Sequence, residues 1–317
     1  MGVYREKVLN SMLCMTRQCW EQGIVAQTLM ELGEEDKLKL VVYDMVLRQS
    51  EDGRLCNIEN TPAITDSSFC IPATYVIAKK EKNKTFLDAA EKNIEFLLNK
   101  ALRADDGTLY HMIYNSEIWA DSSAFLPYSL ALTGHPREAL DQLNGICRRL
   151  YNKETGLYYH MWNEEKQTYS RPLPWGVGNG WILTGTLRLY LTLNNEFNIE
   201  KEKLLLRFRT LLNTMLKYKT KNHLFHDIMN DPGSFEESEC SAMVAYAIYV
   251  GVKKGLLVEK YLEEADLIRE SLYKNVTDTG LVLNSAGSPD FIRAGTSVEC
   301  QAHFLMMNEI FEKYYKN

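Results

Sequence analysis

Apolar residues recur every three or four positions along almost the whole chain. The spacing predicts helices at roughly 4–15, 20–32, 35–48, 67–79, 84–99, 121–132, 136–151, 179–194, 199–218, 237–252, 257–273 and 296–315, because one face of a helix returns every 3.6 residues. No alternating run suggests a strand of more than a few residues. Links within successive pairs are short, as at Gly33-Glu34-Glu35 and Thr133-Gly134-His135-Pro136, and short links make antiparallel helical hairpins. The longer links carry a repeat: Asp52-Gly53-Arg54-Leu55, Asp106-Gly107-Thr108-Leu109, Thr155-Gly156-Leu157-Tyr158 and Thr279-Gly280-Leu281-Val282, with Asn222-His223-Leu224-Phe225 as a weaker copy. Each reads as a tight turn followed by a short extended piece. A period of about fifty residues means an array of helical hairpins. Six of them suit an all-α fold, an (α/α)6 barrel occupying residues 1–317 as one domain; an open solenoid of the same hairpins fits the pattern as well.

A second repeat lies at helix starts. Asp66-Ser67-Ser68-Phe69-Cys70-Ile71-Pro72 returns about fifty-five residues later as Asp121-Ser122-Ser123-Ala124-Phe125-Leu126-Pro127. A helix start gathers free N–H groups and the positive end of the dipole, so an acid there is favoured and can serve as a cap. Four further polar clusters, around Trp20-Glu21-Gln22-Gly23, Gly178-Asn179-Gly180-Trp181, Glu237-Ser238-Glu239 and Gly295-Thr296-Ser297, also open the first helix of a hairpin. In a closed barrel all six face one mouth, the usual place for a site between helices.

Composition narrows the partners. Hydrophobic residues make up 45% and charged residues 25% of the 317 positions, as in ordinary globular proteins, and the net charge is −6 with no basic block. Nucleic-acid and membrane-surface binding are therefore set aside. The first residues are charged and lack an apolar leader, and Glu6 breaks a myristoylation pattern that Gly2 would otherwise begin. The seven cysteines form no C-x-x-C pair and sit mostly in apolar runs, so they read as reduced core residues of a cytoplasmic protein. His223 and His226 flank an apolar pair, with no third metal ligand in view.

The motifs resemble a known family. Gly107-Thr108-Leu109-Tyr110-His111 leading into Ile118-Trp119-Ala120-Asp121, then Gly156-Leu157-Tyr158-Tyr159-His160-Met161-Trp162, Trp175-Gly176-Val177-Gly178-Asn179-Gly180-Trp181 and Gly295-Thr296-Ser297-Val298-Glu299-Cys300-Gln301-Ala302 are similar, in order, to the unsaturated rhamnogalacturonyl hydrolases of glycoside hydrolase family 105, relatives of the unsaturated glucuronyl hydrolases of family 88. The resemblance implies an (α/α)6 barrel. It also implies removal of a 4,5-unsaturated uronic acid from the non-reducing end of small oligosaccharides made by polysaccharide lyases, of the pectin or rhamnogalacturonan type, without metal or organic cofactor. Asp121 matches the family's general acid/base, Asp66 its second essential carboxylate and His160 its active-site histidine. Trp175 and Trp181 match aromatics lining the sugar site. Two positions depart from the pattern: Val177 stands where the family commonly has Arg, and Glu239 where a small or hydroxyl residue is expected.

An unsaturated uronide is an enol ether, so hydration of its C4=C5 bond is an alternative to ordinary glycosidic cleavage. Asp121 is expected to give a proton to C4 and to take one from the water that adds at C5. That requires a raised pKa, which repulsion by Asp66 would supply. His160 is either a satisfied core group or a hydrogen-bond donor to the uronate. His111, Asn179, Trp119 and Glu237 complete the candidate substrate-binding set, and Glu299 and Gln301 are candidate polar supports. Trp20 and Trp119 also suit core packing. Two other readings compete: a sugar 2-epimerase or isomerase on the same barrel, which would use paired histidines, and a non-catalytic carbohydrate-binding α-toroid.

Overall fold

Alternate segments of the helical pattern are apolar all round or on one side only, and the fold sorts them accordingly. The computed structural model describes residues 2–57, 62–287 and 290–316. Among them α2 (Cys19–Leu32), α4 (Ile71–Glu81), α6 (Leu126–Leu132), α8 (Gly176–Thr192), α10 (Ser238–Lys253) and α12 (Val298–Tyr314) form an inner ring. Each touches the next, and α12 touches α2, which closes the barrel. Closure decides between the barrel and the open solenoid that the repeats alone left open. The outer helices are α1 (Gly2–Met15), α3 (Glu35–Leu47), α5 (Lys84–Glu95), α7 (Pro136–Leu150), α9 (Asn198–Leu216) and α11 (Leu262–Leu272).

Burial follows position in the ring. Every residue of α8 from Gly176 to Leu189, and of α10 from Ser238 to Gly251, is buried. In α7, by contrast, Ala139, Leu140, Leu143, Ile146 and Leu150 face inward while Arg137, Glu138, Asp141, Asn144 and Arg148 face solvent, the stripe of an outer amphipathic helix. The buried hydrophobic cluster extends from Val8 to Met307. None of the described helices is long and apolar enough to cross a membrane.

The glycine turns are structural. Gly53, Gly107, Gly156 and Gly280 all have left-handed φ, and in the weaker copy His223 takes the same conformation at φ 64°. Two residues beyond each turn a backbone N–H is held by a neighbouring helix. Leu55 donates to Asn93, Leu109 to Gln142, Tyr158 to Asn179 and Val282 to Gln301, each at 2.9 Å, and Phe225 donates to Ser241 at 3.2 Å. The amide N–H groups of Asn179 donate in turn to the carbonyls of Tyr158 and Trp175. Asn179 is therefore spent on backbone.

Five of the six inner helices are entered from a longer link and α2 from the three residues Thr16–Gln18, and all six N-termini meet at one mouth. Three small antiparallel sheets gather there: β1 (Glu117–Trp119), β2 (Met161–Asn163) and β3 (Thr168–Arg171); β4 (Phe225–His226) with β5 (Glu236–Glu237); and β6 (Ser285–Gly287) with β7 (Asp290–Gly295). Strands of two to six residues are too short for alternation to reveal. The helix starts also differ from the periodicity at both copies of the doubled phrase. Asp66–Cys70 and Ala120–Ser123 are 3-10 turns, and the α-helices begin at Ile71 and Leu126 with Pro72 and Pro127 in their first turn, where a missing N–H does no harm.

Candidate active site

The two 3-10 turns reach the mouth by close backbone approach. A Cβ on Gly23 of α2 would lie 2.3 Å from Phe69 Cβ, and one on Gly185 of α8 would lie 2.0 Å from the Ser123 carbonyl oxygen. Each copy of the phrase thus rests against a glycine of a neighbouring inner helix. Neither aspartate caps its helix. Both carboxyls line a cavity of about 340 Å³, together with Trp119, Trp175, Glu239 and Glu299. That volume falls in the range of small-ligand sites, roughly 300–1,000 Å³.

The carboxyls have opposite surroundings. Asp66 is 8% exposed, and the nearest ring nitrogen, His111 Nε2, is 3.6 Å away. Burial, reinforced by the charges of Asp121 and Glu299, pushes its pKa up to about 8, so it is mainly protonated at neutral pH. Asp121 Oδ2 instead lies 3.0 Å from His160 Nε2. Burial alone would raise its pKa, but the electrostatic pull of His160, the hydrogen bond from its ring N–H and the weaker pull of His111 outweigh it, and the net direction is down. This corrects the expectation that Asp121 would be the raised member of the pair. The raised member is Asp66.

One wall is a column of flat rings. His111 stacks on Trp119 with centroids 4.2 Å apart, Trp119 meets His160 edge to face at 5.7 Å, and His160 stacks on Trp175 at 4.4 Å. Phe291 of β7 sets its edge against Trp119, His160 and Trp175. Trp175 Nε1 donates to Asp227 at 3.0 Å. Both histidines are held neutral chiefly by burial, His111 at about 4. His111 Nδ1 meets the hydroxyls of Thr65 at 2.8 Å and Ser122 at 3.1 Å, and those hydroxyls are 3.0 Å apart. This cluster ties the residue before the first copy to the second.

The opposite wall is acidic. Glu239 is 2% exposed, its Oε2 accepts from Ser285 and Ser297, and burial and the charges of Glu299 and Glu237 raise its pKa. Glu299 is raised to about 7, mainly by burial. No lysine or arginine is among the described lining residues.

The structure brings Asp66, His111, Trp119, Asp121, Trp175 and Trp181 to the cavity, with His160 completely buried behind Asp121. It does not bring Asn179 or Glu237 there. Glu237 is fully buried and caps α10 through a hydrogen bond from Cys240 N. Trp20, Phe69 and Phe291 also line the cavity. Sequence reasoning had preferred core packing for Trp20 and missed Arg171 altogether. The Arg171 Nη1 is 2.6 Å from His160 Nδ1, and its guanidinium lies over the rings of Trp175 and Phe291. Nothing in the hydrophilic stretch Asn163–Pro172 marks it. Among the described residues no group of three or more His, Cys, Asp or Glu side chains is arranged to hold a metal. His226 Nδ1 faces the Ser234 carbonyl at 2.7 Å.

Comparison with known proteins gives one consistent result. The family model described as Glycosyl Hydrolase Family 88 matches residues 4–290. The unsaturated rhamnogalacturonyl hydrolase YesR of Bacillus subtilis (strain 168) is 26% identical over 267 residues, 78% of this chain and 73% of its own. A family 105 glycoside hydrolase of C. acetobutylicum ATCC 824 superposes with a TM-score of 0.81 at 18% identity, covering 98% of this chain and 99% of that one. The unsaturated glucuronyl hydrolase of Bacillus sp. GL1 gives a TM-score of 0.66 at 15% identity, covering 94% and 85%. These two similarities establish the helical barrel fold.

Proposed function

Because the chain belongs to Glycosyl Hydrolase Family 88, we propose that it removes a 4,5-unsaturated uronic acid from the non-reducing end of small oligosaccharides left by polysaccharide lyases, of the pectin or rhamnogalacturonan type. The observation that carries this reading is the pair of carboxyls in one aromatic-walled cavity whose surroundings push their pKa values apart. Such a pair supplies one proton donor and one base at the same pH.

In the resting site the proton sits on Asp66 and the charge on Asp121. The first step is therefore proton transfer from Asp66 to C4 of the enol ether, with positive charge developing at C5 and the ring oxygen. Water then adds at C5 while Asp121 takes its proton. The resulting hemiketal opens to a C5 ketone, and the hemiacetal at C1 expels the aglycone as an alcohol. One water is consumed, and proton exchange with solvent resets the two carboxyls. The half-buried Trp119 suits the C–H surface of the ring, while Trp175, 2% exposed, is stacked on His160.

The test is incubation with unsaturated disaccharides differing in the second sugar, followed through the near-ultraviolet absorbance of the double bond. Loss of absorbance with release of the saturated sugar is the expected result. Substrates that keep their double bond across the panel, or saturated sugars that are epimerised, would overturn the reading.

A further inference from the structure

We propose that Arg171 is a positioning residue that fixes His160 as its Nε2–H tautomer and thereby holds Asp121 ready as the base of the hydration step. The inference rests on the reading of Asp121 as base given above. Its geometric part stands on the free protein.

An arginine side chain has donors only. With Nη1 of Arg171 2.6 Å from His160 Nδ1, that ring nitrogen must be the acceptor, so the ring proton sits on Nε2. Nε2 faces Asp121 Oδ2 at 3.0 Å, and the N–H therefore points at the carboxylate. The chain of contacts runs cation, neutral ring, carboxylate, in one polarity. If His160 took a second proton, its Nδ1–H would confront the guanidinium, and the pair would have to separate. Arg171 thus excludes the imidazolium at a place where an adjacent carboxylate would otherwise invite it. An imidazolium there would hold Asp121 as half of an ion pair and weaken it as a base.

The other charged groups around this chain do not change its polarity. Glu117 of β1 acts on the ring from the β1 side, with His111 beyond Trp119, and Asp227 and Asp290 act on the guanidinium. Burial and Arg171 together keep His160 neutral against the pull of Asp121 and Glu117. Arg171 is itself anchored by its other nitrogen, which donates to the Phe291 carbonyl at 3.0 Å. The fork therefore joins β3 to β7, whose Phe291 overhangs the cavity. A lysine ammonium can still donate to His160 Nδ1 but gives up the second contact, to the Phe291 carbonyl.

Two readouts test this. Nitrogen-15 spectra of histidine-labelled protein, with His160 assigned through H160Q, should show an unprotonated Nδ1 and a protonated Nε2 in the wild type from pH 6 to 8. In R171M the His160 signals should move to the imidazolium form at pH 6. The kcat of R171M should then fall about tenfold at pH 6 and return to within about threefold of wild type at pH 8, with KM changed less than about threefold, short of the roughly 10²–10⁴-fold that loss of a positioned base itself would cost. R171K should keep the wild-type tautomer and acid limb. If R171M does not fold, R171K decides alone: an imidazolium in its spectra overturns the proposal. A wild-type Nδ1–H signal, or an R171M loss equal at every pH with unchanged spectra, overturns it too. The spectra need no substrate, so a failure of the proposed hydrolysis is read separately.

Discussion

The two copies of Asp-Ser-Ser-x-x-x-Pro share sequence, 3-10 geometry and a supporting glycine, yet their carboxyls behave oppositely. Asp66 is buried against other acids, with a neutral histidine at 3.6 Å. Asp121 accepts a hydrogen bond from His160, which the β1–β2–β3 sheet delivers: the Ala120 N–H donates to the His160 carbonyl at 2.9 Å, and β3 ends in Arg171. Repetition of a helical unit places two like groups at one mouth. The loops that differ between units decide which one carries the proton.

Removing either carboxyl should cost most. D121N and D66N should each lower kcat by about 10²–10⁴-fold, the usual worth of a positioned acid or base. Near wild-type turnover by either variant would break the assignment of a donor and a base. The wild-type rate should also fall on the alkaline side as Asp66 loses its proton at about 8, and an unchanged alkaline limb in D66E would show that another group sets it.

Stability should split the copies by sign. The folded pKa of Asp66 lies above its unfolded value, so the folded state binds the extra proton between about pH 4 and 8. Stability from this group is full below that window and is lost as pH rises through it. D66N removes the loss, and its Tm should exceed that of wild type at pH 8 by several degrees and converge with it near pH 4. Asp121 has a lowered folded pKa, so its contribution is present above the unfolded value and lost only in acid. D121N should be less stable than wild type at pH 8 by about 1–2 kcal/mol, as for a weakened charge-assisted hydrogen bond. Two variants shifting Tm in the same direction at pH 8 would remove the asymmetry.

The supporting glycines should matter comparably. G23A and G185A each force a methyl against a 3-10 turn at 2.3 and 2.0 Å, and overpacking of this kind costs about 1–3 kcal/mol. Denaturant midpoints measure it, and wild-type midpoints would mean the turns yield freely.

Much of this was legible in the sequence. Twelve helices and their pairing followed from apolar spacing and from turns at Gly53, Gly107, Gly156 and Gly280, because local geometry dictates both. The doubled phrase pointed to both carboxyls. Ring closure was not legible in the repeats, because it is a contact of α12 with α2 across the whole chain; only the family resemblance implied it. Nor was the proton's place, which depends on burial and on His160, a ring that contacts Arg171, a residue in a polar strand with no motif around it. Asn179 belongs to the most specific phrase in the chain yet serves the backbone of Tyr158. A motif marks that a residue is needed without saying for what.

The smallest expected effect concerns the seam between the copies. Thr65 precedes the first phrase and Ser122 belongs to the second, and their hydroxyls meet each other and His111 Nδ1 within 3.1 Å. Three groups share two hydroxyl protons there, so each deletion strips partners from the others and the effects will not add. T65V and S122A should each cost about 1 kcal/mol in urea unfolding, and the double variant should cost less than their sum by about 0.5–1 kcal/mol. Turnover should change only a few-fold, because neither hydroxyl is hydrogen-bonded to Asp66 or Asp121. Strict additivity would mean that the copies are held in register by packing alone. A large loss of kcat in S122A with stability intact would mean that the seam, and not His160, aligns the carboxyls.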